Sequence, residues 1–439
     1  MAHNPLLLGI PRVPVKVNER PPTIQELYRT LRICLQYVED GCNIFSRLIS
    51  ALEAINFSSF LRDNRLNEPE MRRLLPMLGQ RLTSLRIQLA DISTLFNACR
   101  TFRVRCLGGV KNCIILSGRE GQNKFAILML GRLIPNVQML HIFAPIDSRF
   151  PMLRHLRTVY VGGKISQEAL DDLFTYSPML ENFVLRDGYP DIKKIGRCRL
   201  LKETILPLQL RSAPAIYHLE NLTHLSMVRQ KLWPGMDWLP TVLAIIHAKR
   251  HQIQRLTFDG SWLVRPLNFA RLKLNDCTAL DEVRFSNCKL KDVTVPPLPL
   301  CCKNIAFRRC TLGKLNSFLR FHPLVREIQI INSQLQWDVP VLNRLLALRK
   351  FQPVQEPLLI TFCQSTKLRS EYTKWRREDM DAAKPFLQVK EIDPHHVKPW
   401  KIQAGMISMT FGRPVNYAPE IRPLGEDDPT AADVLLDLR

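Results

Sequence analysis

Apolar residues recur along the chain in a fixed short pattern. "LTHLSMVRQKL" places them at Leu222, Leu225, Met227 and Leu232, and "IQRLTFDGSWL" does so at Ile253, Leu256, Phe258 and Leu263. "LDEVRFSNCKL" uses Leu280, Val283, Phe285 and Leu290, and "CKNIAFRRCTL" uses Cys302, Ile305, Phe307 and Leu312. "VREIQIINSQL" uses Val325, Ile328, Ile330 and Leu335. All five share apolar offsets 1, 4, 6 and 11, while offset 9 is small or polar: Gln230, Ser261, Cys288, Cys310 and Ser333. The starts at Leu222, Ile253, Leu280, Cys302 and Val325 are 31, 27, 22 and 23 residues apart. Offsets 4 and 6 point the same way from a short strand, so the pattern predicts one strand per copy. Parallel stacking of the copies then joins the apolar rows into one core. Offset 9 lies where the chain leaves the strand, and a small donor there can bond the turn backbone, a thiol more weakly.

Weaker copies lie upstream. "LTSLRIQLADI" carries Leu82, Leu85, Ile87 and Ile92, "VQMLHIF" carries Val137, Leu140 and Ile142, and "VKNCIILSG" is a further candidate. "LRTVYV" supplies Leu156, Val159 and Val161, and "LENFVL" supplies Leu180, Phe183 and Leu185. "LLITF", Leu358 to Phe362, reads as a last strand. Helical connections are predicted between strands, as in "QEALDDLFTYSP" with Leu170, Leu173 and Phe174. Gly188 to Leu219 is too long for one connection and is predicted to hide an irregular repeat. The fold class expected is α/β: a curved parallel sheet with helical connections.

Three regions follow. Residues 1–66 read as helical, with a capping-box pair at Thr23 and Glu26 and apolar Ile24, Leu27, Leu31 and Leu35 at helical spacing. Residues 67–368 hold the array, entered through a helix with Pro69 near its start and Gly79 after its end. Residues 369–439 form an extension, basic in "KLRSEYTKWRRED", proline-rich without a period from Lys384 to Pro423, and acidic in "GEDDPTAADVLLDLR". The acidic end reads as a tail or a short docking helix.

Composition narrows the function classes. The chain has 439 residues, 46% of them hydrophobic, enough for an extended core. No apolar run approaches the ~18 residues of a membrane span. The opening "MAHNPLLLGIPRVP" lacks the long apolar region of a signal peptide, so a cytoplasmic or nuclear location is expected. Twelve cysteines are then expected as thiols. Cys288 and Cys310 are equivalent repeat positions, Cys302 replaces a first-column leucine, and Cys277 and Cys301 lie in connections. The C-x2-4-C pairs of a zinc site are missing from that cluster, so the thiols read as core. No cofactor or metal is expected. "GGK" at Gly162–Lys164 lacks the remainder of a phosphate loop, no G-x-S-x-G occurs, and His395–His396 are adjacent. Nothing resembles a converging catalytic set, and the reading is that of a non-enzyme.

The net charge of +22 favours an anionic partner. The ligand surface of such an array is the strand face at offsets 3, 5 and 7. In the five best copies this face sets Arg255, Arg284 and Arg308 against Asp259, Glu282 and Glu327, with uncharged residues between. That mixture suits a protein partner better than a phosphate track. The expected contact residues are Phe143, Tyr160, Arg255, Asp259, Glu282, Arg284, Arg308 and Ile331. The alternative is a nucleic-acid-associated scaffold using convex or C-terminal basic residues: Lys367, Arg369, Lys374, Arg376 and Arg377.

The L-x-x-L-x-L-x-x-[N/C]-x-L pattern resembles the leucine-rich-repeat superfamily over roughly two-thirds of the chain. Its irregular length, and the cysteines Cys288 and Cys310 at offset 9, are similar to the repeats of F-box/leucine-rich-repeat proteins. The resemblance implies an N-terminal F-box docking on the linker subunit of an SCF-type ubiquitin ligase through residues 24–56, here divergent, with the repeats holding the substrate. Leu31, Leu35, Tyr37, Ile44 and Leu48 would fill its apolar positions. The plain alternative for this segment is a helical cap on the solenoid.

Overall fold

A computed structural model describes residues 49–50, 52–53, 57–62, 68–117, 125–229, 238–263, 269–290, 298, 301–313, 324–336, 340–351, 356–397, 400, 402 and 404–412. Most of residues 24–56, where the F-box is expected, lies outside them.

The chain enters through helices α1 (Phe57–Arg62) and α2 (Glu68–Arg81). Gly79 falls inside α2 rather than after it, close against the Cys106 carbonyl. The entry segment satisfies the open edge of the first strand, β1 (Ser84–Gln88). The Glu53 carboxylate accepts from the Thr83 N–H at 2.6 Å and the Ser84 N–H at 3.1 Å, and Ser58 Oγ accepts from the Gln88 N–H at 2.7 Å. These bonds pair backbone donors that a terminal strand otherwise leaves open.

The repeats then alternate strand and connection. Strands β2 (Asn112–Leu116), β3 (Met139–Ile142), β4 (Thr158–Val161), β5 (Asn182–Leu185), β6 (Glu203–Pro207) and β7 (His224–Val228) add in sequence, each parallel to the last. Helices α3 (Ile92–Thr101), α4 (Ala126–Leu133) and α5 (Gln167–Tyr176) connect the earlier ones, and 3-10 turns the later. The irregular repeat predicted between Gly188 and Leu219 is present as β6. Helix α6 (Leu239–Lys249) leads to β8 (Ile253–Asp259), and β9 (Glu282–Ser286), β11 (Asn304–Arg308), β13 (Glu327–Ile331) and β15 (Leu358–Cys363) follow. Two-residue strands β10 (Lys289–Leu290), β12 (Thr311–Leu312) and β14 (Gln334–Leu335) form a second small sheet around offset 11. Helix α7 (Val341–Phe351) precedes β15.

The periodic columns are the core. Val283, Ile305, Ile328 and Ile360 are in register on neighbouring strands, as are Phe285, Phe307, Ile330 and Phe362, and all are buried. The rings of Phe285 and Phe307 stack with centroids 5.8 Å apart. Offset 8 adopts a left-handed backbone at Asn287, Arg309, Asn332 and Gln364, which turns the chain off each strand. The offset-9 side chain then bonds back. Cys288 Sγ donates to the Ser286 carbonyl at 3.1 Å, Cys310 Sγ to those of Arg308 and Phe285 at 3.4 Å, and Ser333 Oγ to that of Ile331 at 2.9 Å. Cys277 and Cys302 are also buried, so the cysteine-rich stretch is packing and turn chemistry.

Past Leu368 the chain continues the sheet. Helices α8 (Thr366–Tyr372) and α9 (Arg377–Ala383) lead to β16 (Leu387–Glu391), parallel to β15. The last strand, β17 (Met406–Phe411), does not extend the end of the array. It inserts between β7 and β8, antiparallel to both. The strand order is β1-β2-β3-β4-β5-β6-β7-β17-β8-β9-β11-β13-β15-β16. The fold is thus an α/β solenoid of the leucine-rich-repeat kind whose sheet is closed at its middle by the C-terminal extension. No helix among the described residues is long and apolar enough to cross a membrane.

Candidate functional site

Strand register arranges the face opposite the core in three rows. The middle row runs Arg86, Ile114, His141, Tyr160, Val184, Ile205 and Ser226 across β1 to β7. It continues through Ser408 of β17 to Thr257, Arg284, Ala306, Gln329, Thr361 and Lys390. The row is apolar and aromatic from Ile114 to Ile205, with Arg86 before it and Ser226 between it and β17, and mostly polar after β17. The inserted strand therefore separates two chemically different surfaces.

The first surface brings together Phe143 and Tyr160, both expected contacts. Their rings lie 5.4 Å apart, and His141 stacks on Tyr160 at 5.7 Å. Phe143 is 42% exposed. Burial lowers the His141 pKa below the usual imidazole value, which favours the neutral ring near neutral pH. Arg186 completes the cluster, its guanidinium carbon 5.8 Å from the Tyr160 ring centroid. Its Nε is shut off from solvent and has no hydrogen-bond partner among the described residues. An unpaired buried donor costs about 1–3 kcal/mol, so the cation is held here against a penalty. Gly162 makes room for the two rings, since a Cβ there would sit 2.8 Å from Tyr160 Cε1 and 3.1 Å from Phe143 Cδ1. A Cβ on Gly163 would lie 2.5 Å from the Ala144 carbonyl oxygen. The "GGK" glycines thus serve packing.

The second surface holds the remaining expected residues. Arg255 and Arg284 both donate to the Glu282 carboxylate, Arg284 at 2.6 Å. The Arg284 guanidinium also sits 5.5 Å from the Trp400 ring, so the returning C-terminal segment lies against it. Arg308 is half-buried and makes no ion pair with a described residue. Two expected contacts are not on an open surface. Asp259 is 2% exposed and Ile331 9%. Both stand in the third row, level with the point where the chain leaves the strands and where Gly405 returns.

Asp259 instead anchors that return. Its carboxylate accepts from the Gly405 N–H at 2.9 Å, the Ser261 N–H at 3.1 Å and Asn287 Nδ2 at 2.6 Å. Burial pushes its pKa up, but these hydrogen bonds outweigh burial and hold it below the usual aspartate value. Gly405 has φ +75°, a conformation that favours glycine, and it packs beside Trp262 and Arg229. Beyond it, Ile407, Met409 and Phe411 enter the core while Ser408 and Thr410 face the open side.

His141 and Arg186 were not singled out by the sequence. The offset rule finds them when it is applied to the weaker copies, where they fall at offsets 5 and 7. Among the described residues, no three His, Cys, Asp or Glu side chains are placed to hold a metal ion.

No protein-family profile matches this chain. No curated protein matches it. Among solved structures it is similar to a leucine-rich-repeat protein of Leptospira interrogans, at 13% identity and TM-score 0.34, over 82% of this chain and 98% of that one. The fold assignment rests on the strand register of this chain itself.

Proposed function

We propose that the chain is a non-enzymatic recognition scaffold that holds a protein partner on the strand face between β2 and β6. The observation that carries this reading is the cluster of His141, Phe143, Tyr160 and Arg186, aromatic and partly solvent-facing on a rigid sheet. Aromatic and arginine side chains are the residue types that dominate protein interfaces, and a solenoid presents them without reorganisation. The test is quantitative capture by full-length protein, comparing wild type with Phe143→Ala/Tyr160→Ala and with Lys374→Glu as a surface control. Partners lost with the double variant and kept with the control support the reading. Identical capture by all three would move the site elsewhere.

The finer form is a substrate receptor of an SCF-type ubiquitin ligase. Its support is the resemblance of the repeats and the N-terminal helical pattern over residues 24–56. Capture of the linker subunit by the full chain, and not by a chain lacking residues 1–66, is the expected result. No capture by either folded protein removes the ligase role and leaves the scaffold.

A further inference from the structure

We infer that the Arg186 cluster receives an extended protein segment presenting a carboxylate beside a large apolar side chain. This rests on the strand face being a partner surface, and it specifies the chemistry of that partner.

Arg186 carries an unmatched charge. Several basic residues on or beside this sheet have acidic neighbours: Arg255 and Arg284 share Glu282, Arg157 and Lys202 share Glu181, and Arg369 meets Glu391. Arg86, Arg308 and Lys390 do not, but among the described residues of this face Arg186 alone also holds a buried side-chain nitrogen without a hydrogen-bond partner. Arg186 makes no ion pair with any described residue. Tyr160, under its guanidinium, and Val184, paired with Tyr160 on the same face, are not acidic. Asp187 is next in the chain, but it is exposed and shows no ion pair with Arg186. The guanidinium carbon lies over the Tyr160 ring, 5.8 Å from its centroid, while the half-buried side chain still reaches solvent. A planar cation so held offers a fork to a carboxylate and repels a basic partner.

The surroundings supply the apolar half of the contact. Phe143 stands open on one side of Tyr160, and Val184 and Ile205 continue the row on the other. From β2 to β6 the row crosses four strand spacings of ~4.8 Å, roughly 19 Å, which about six extended residues span. A partner laid across the strands meets the aromatic pair and the cation together.

The probe is a paired set of immobilised short peptides with Glu or Gln at the centre and Phe, Leu or Ala on either side. Full-length protein is expected to be retained by the Glu peptides with Phe or Leu flanks about tenfold more strongly than by their Gln counterparts, a difference of about 1.4 kcal/mol. Arg186→Gln, with an unchanged thermal melt, is expected to lose the discrimination. Arg186→Lys is expected to keep part of it, because charge remains without the planar fork. Equal retention on both sets, retention on neither, or discrimination that survives Arg186→Gln would each overturn the inference. The capture comparison with Phe143→Ala/Tyr160→Ala is independent of these outcomes, so this inference can fail while the scaffold reading stands.

Discussion

The Gly405 N–H donates to the Asp259 carboxylate at 2.9 Å across 146 residues of sequence. That bond fixes the turn from which the C-terminal strand enters the sheet. Asp259→Asn is expected to destabilise the protein by about 2 kcal/mol, since the bonds lost are charge-assisted and buried. It is also expected to raise protease sensitivity between Val397 and Gly412. Urea denaturation and limited proteolysis read the two effects.

The same group makes attachment of the strand pH-dependent. Its folded pKa is below the unfolded value of ~3.9, so the folded state binds this proton less readily. The stabilisation is complete above that unfolded value and is lost as pH falls through the folded pKa. Wild type is expected to lose more stability than Asp259→Asn between pH 6 and pH 3, read as the shift in urea midpoint.

Burial differs sharply along β17. Met409→Ala removes a side chain with no exposure and is expected to cost about 2–5 kcal/mol. Thr410→Ala, one residue on and facing the open side, is expected to change stability by less than about 0.5 kcal/mol. Equal effects in thermal melts would mean the strand is not seated as described.

Ser333 accepts from the Cys310 N–H at 3.0 Å and donates to the Ile331 carbonyl at 2.9 Å. Ser333→Ala leaves a buried donor open and is expected to cost about 1–3 kcal/mol. Ser333→Cys keeps a weaker version of the arrangement that Cys288 and Cys310 show and is expected to recover part of the loss.

Lys249 is buried, and its ammonium donates to the Leu219 carbonyl at 2.8 Å and to Gln252 Oε1 at 2.9 Å. Burial lowers its pKa to about 8. The unfolded chain holds this proton up to ~10.4, so between the two values it binds more protons than the folded state, and stability rises with pH. Lys249→Met is expected to abolish that increment between pH 7.5 and pH 9.5, measured against wild type in urea.

Much of the fold was legible because each repeat must bury the same columns. Val283, Ile305 and Ile328 announce their strands by offset alone, and Cys288 and Cys310 announce the turn. The weak repeat at β6 was legible only as a gap of excessive length, since Thr204 and Pro207 stand where the pattern wants regular strand residues. β17 was not legible. "MISMTF" lies in a proline-rich stretch, and its pairing is antiparallel, distant and single, so no repeated column marks it. The same omission misplaced Asp259, whose partner is the returning chain. Phe143 and Tyr160 stand at offsets 7 and 5 of their copies, and Arg186 stands at offset 7 of a copy that matches just as many columns, so its position was equally legible by offset while its contact with the Tyr160 ring was not.

The position of β17 also has a consequence for synthesis. Ser226 of β7 meets Ser408 of β17 182 residues later in the chain. At ~5–20 residues per second a ribosome needs roughly 9–36 s to cover that interval. For the last 147 residues of it, from Asp259 to Met406 and roughly 7–29 s, β7 and β8 have both been made while the strand that belongs between them has not. Direct pairing of β7 with β8 is the competing product, and it would close the sheet against its own last strand. Translation that stalls or stops ahead of Met406 therefore removes the centre of this sheet, not its end.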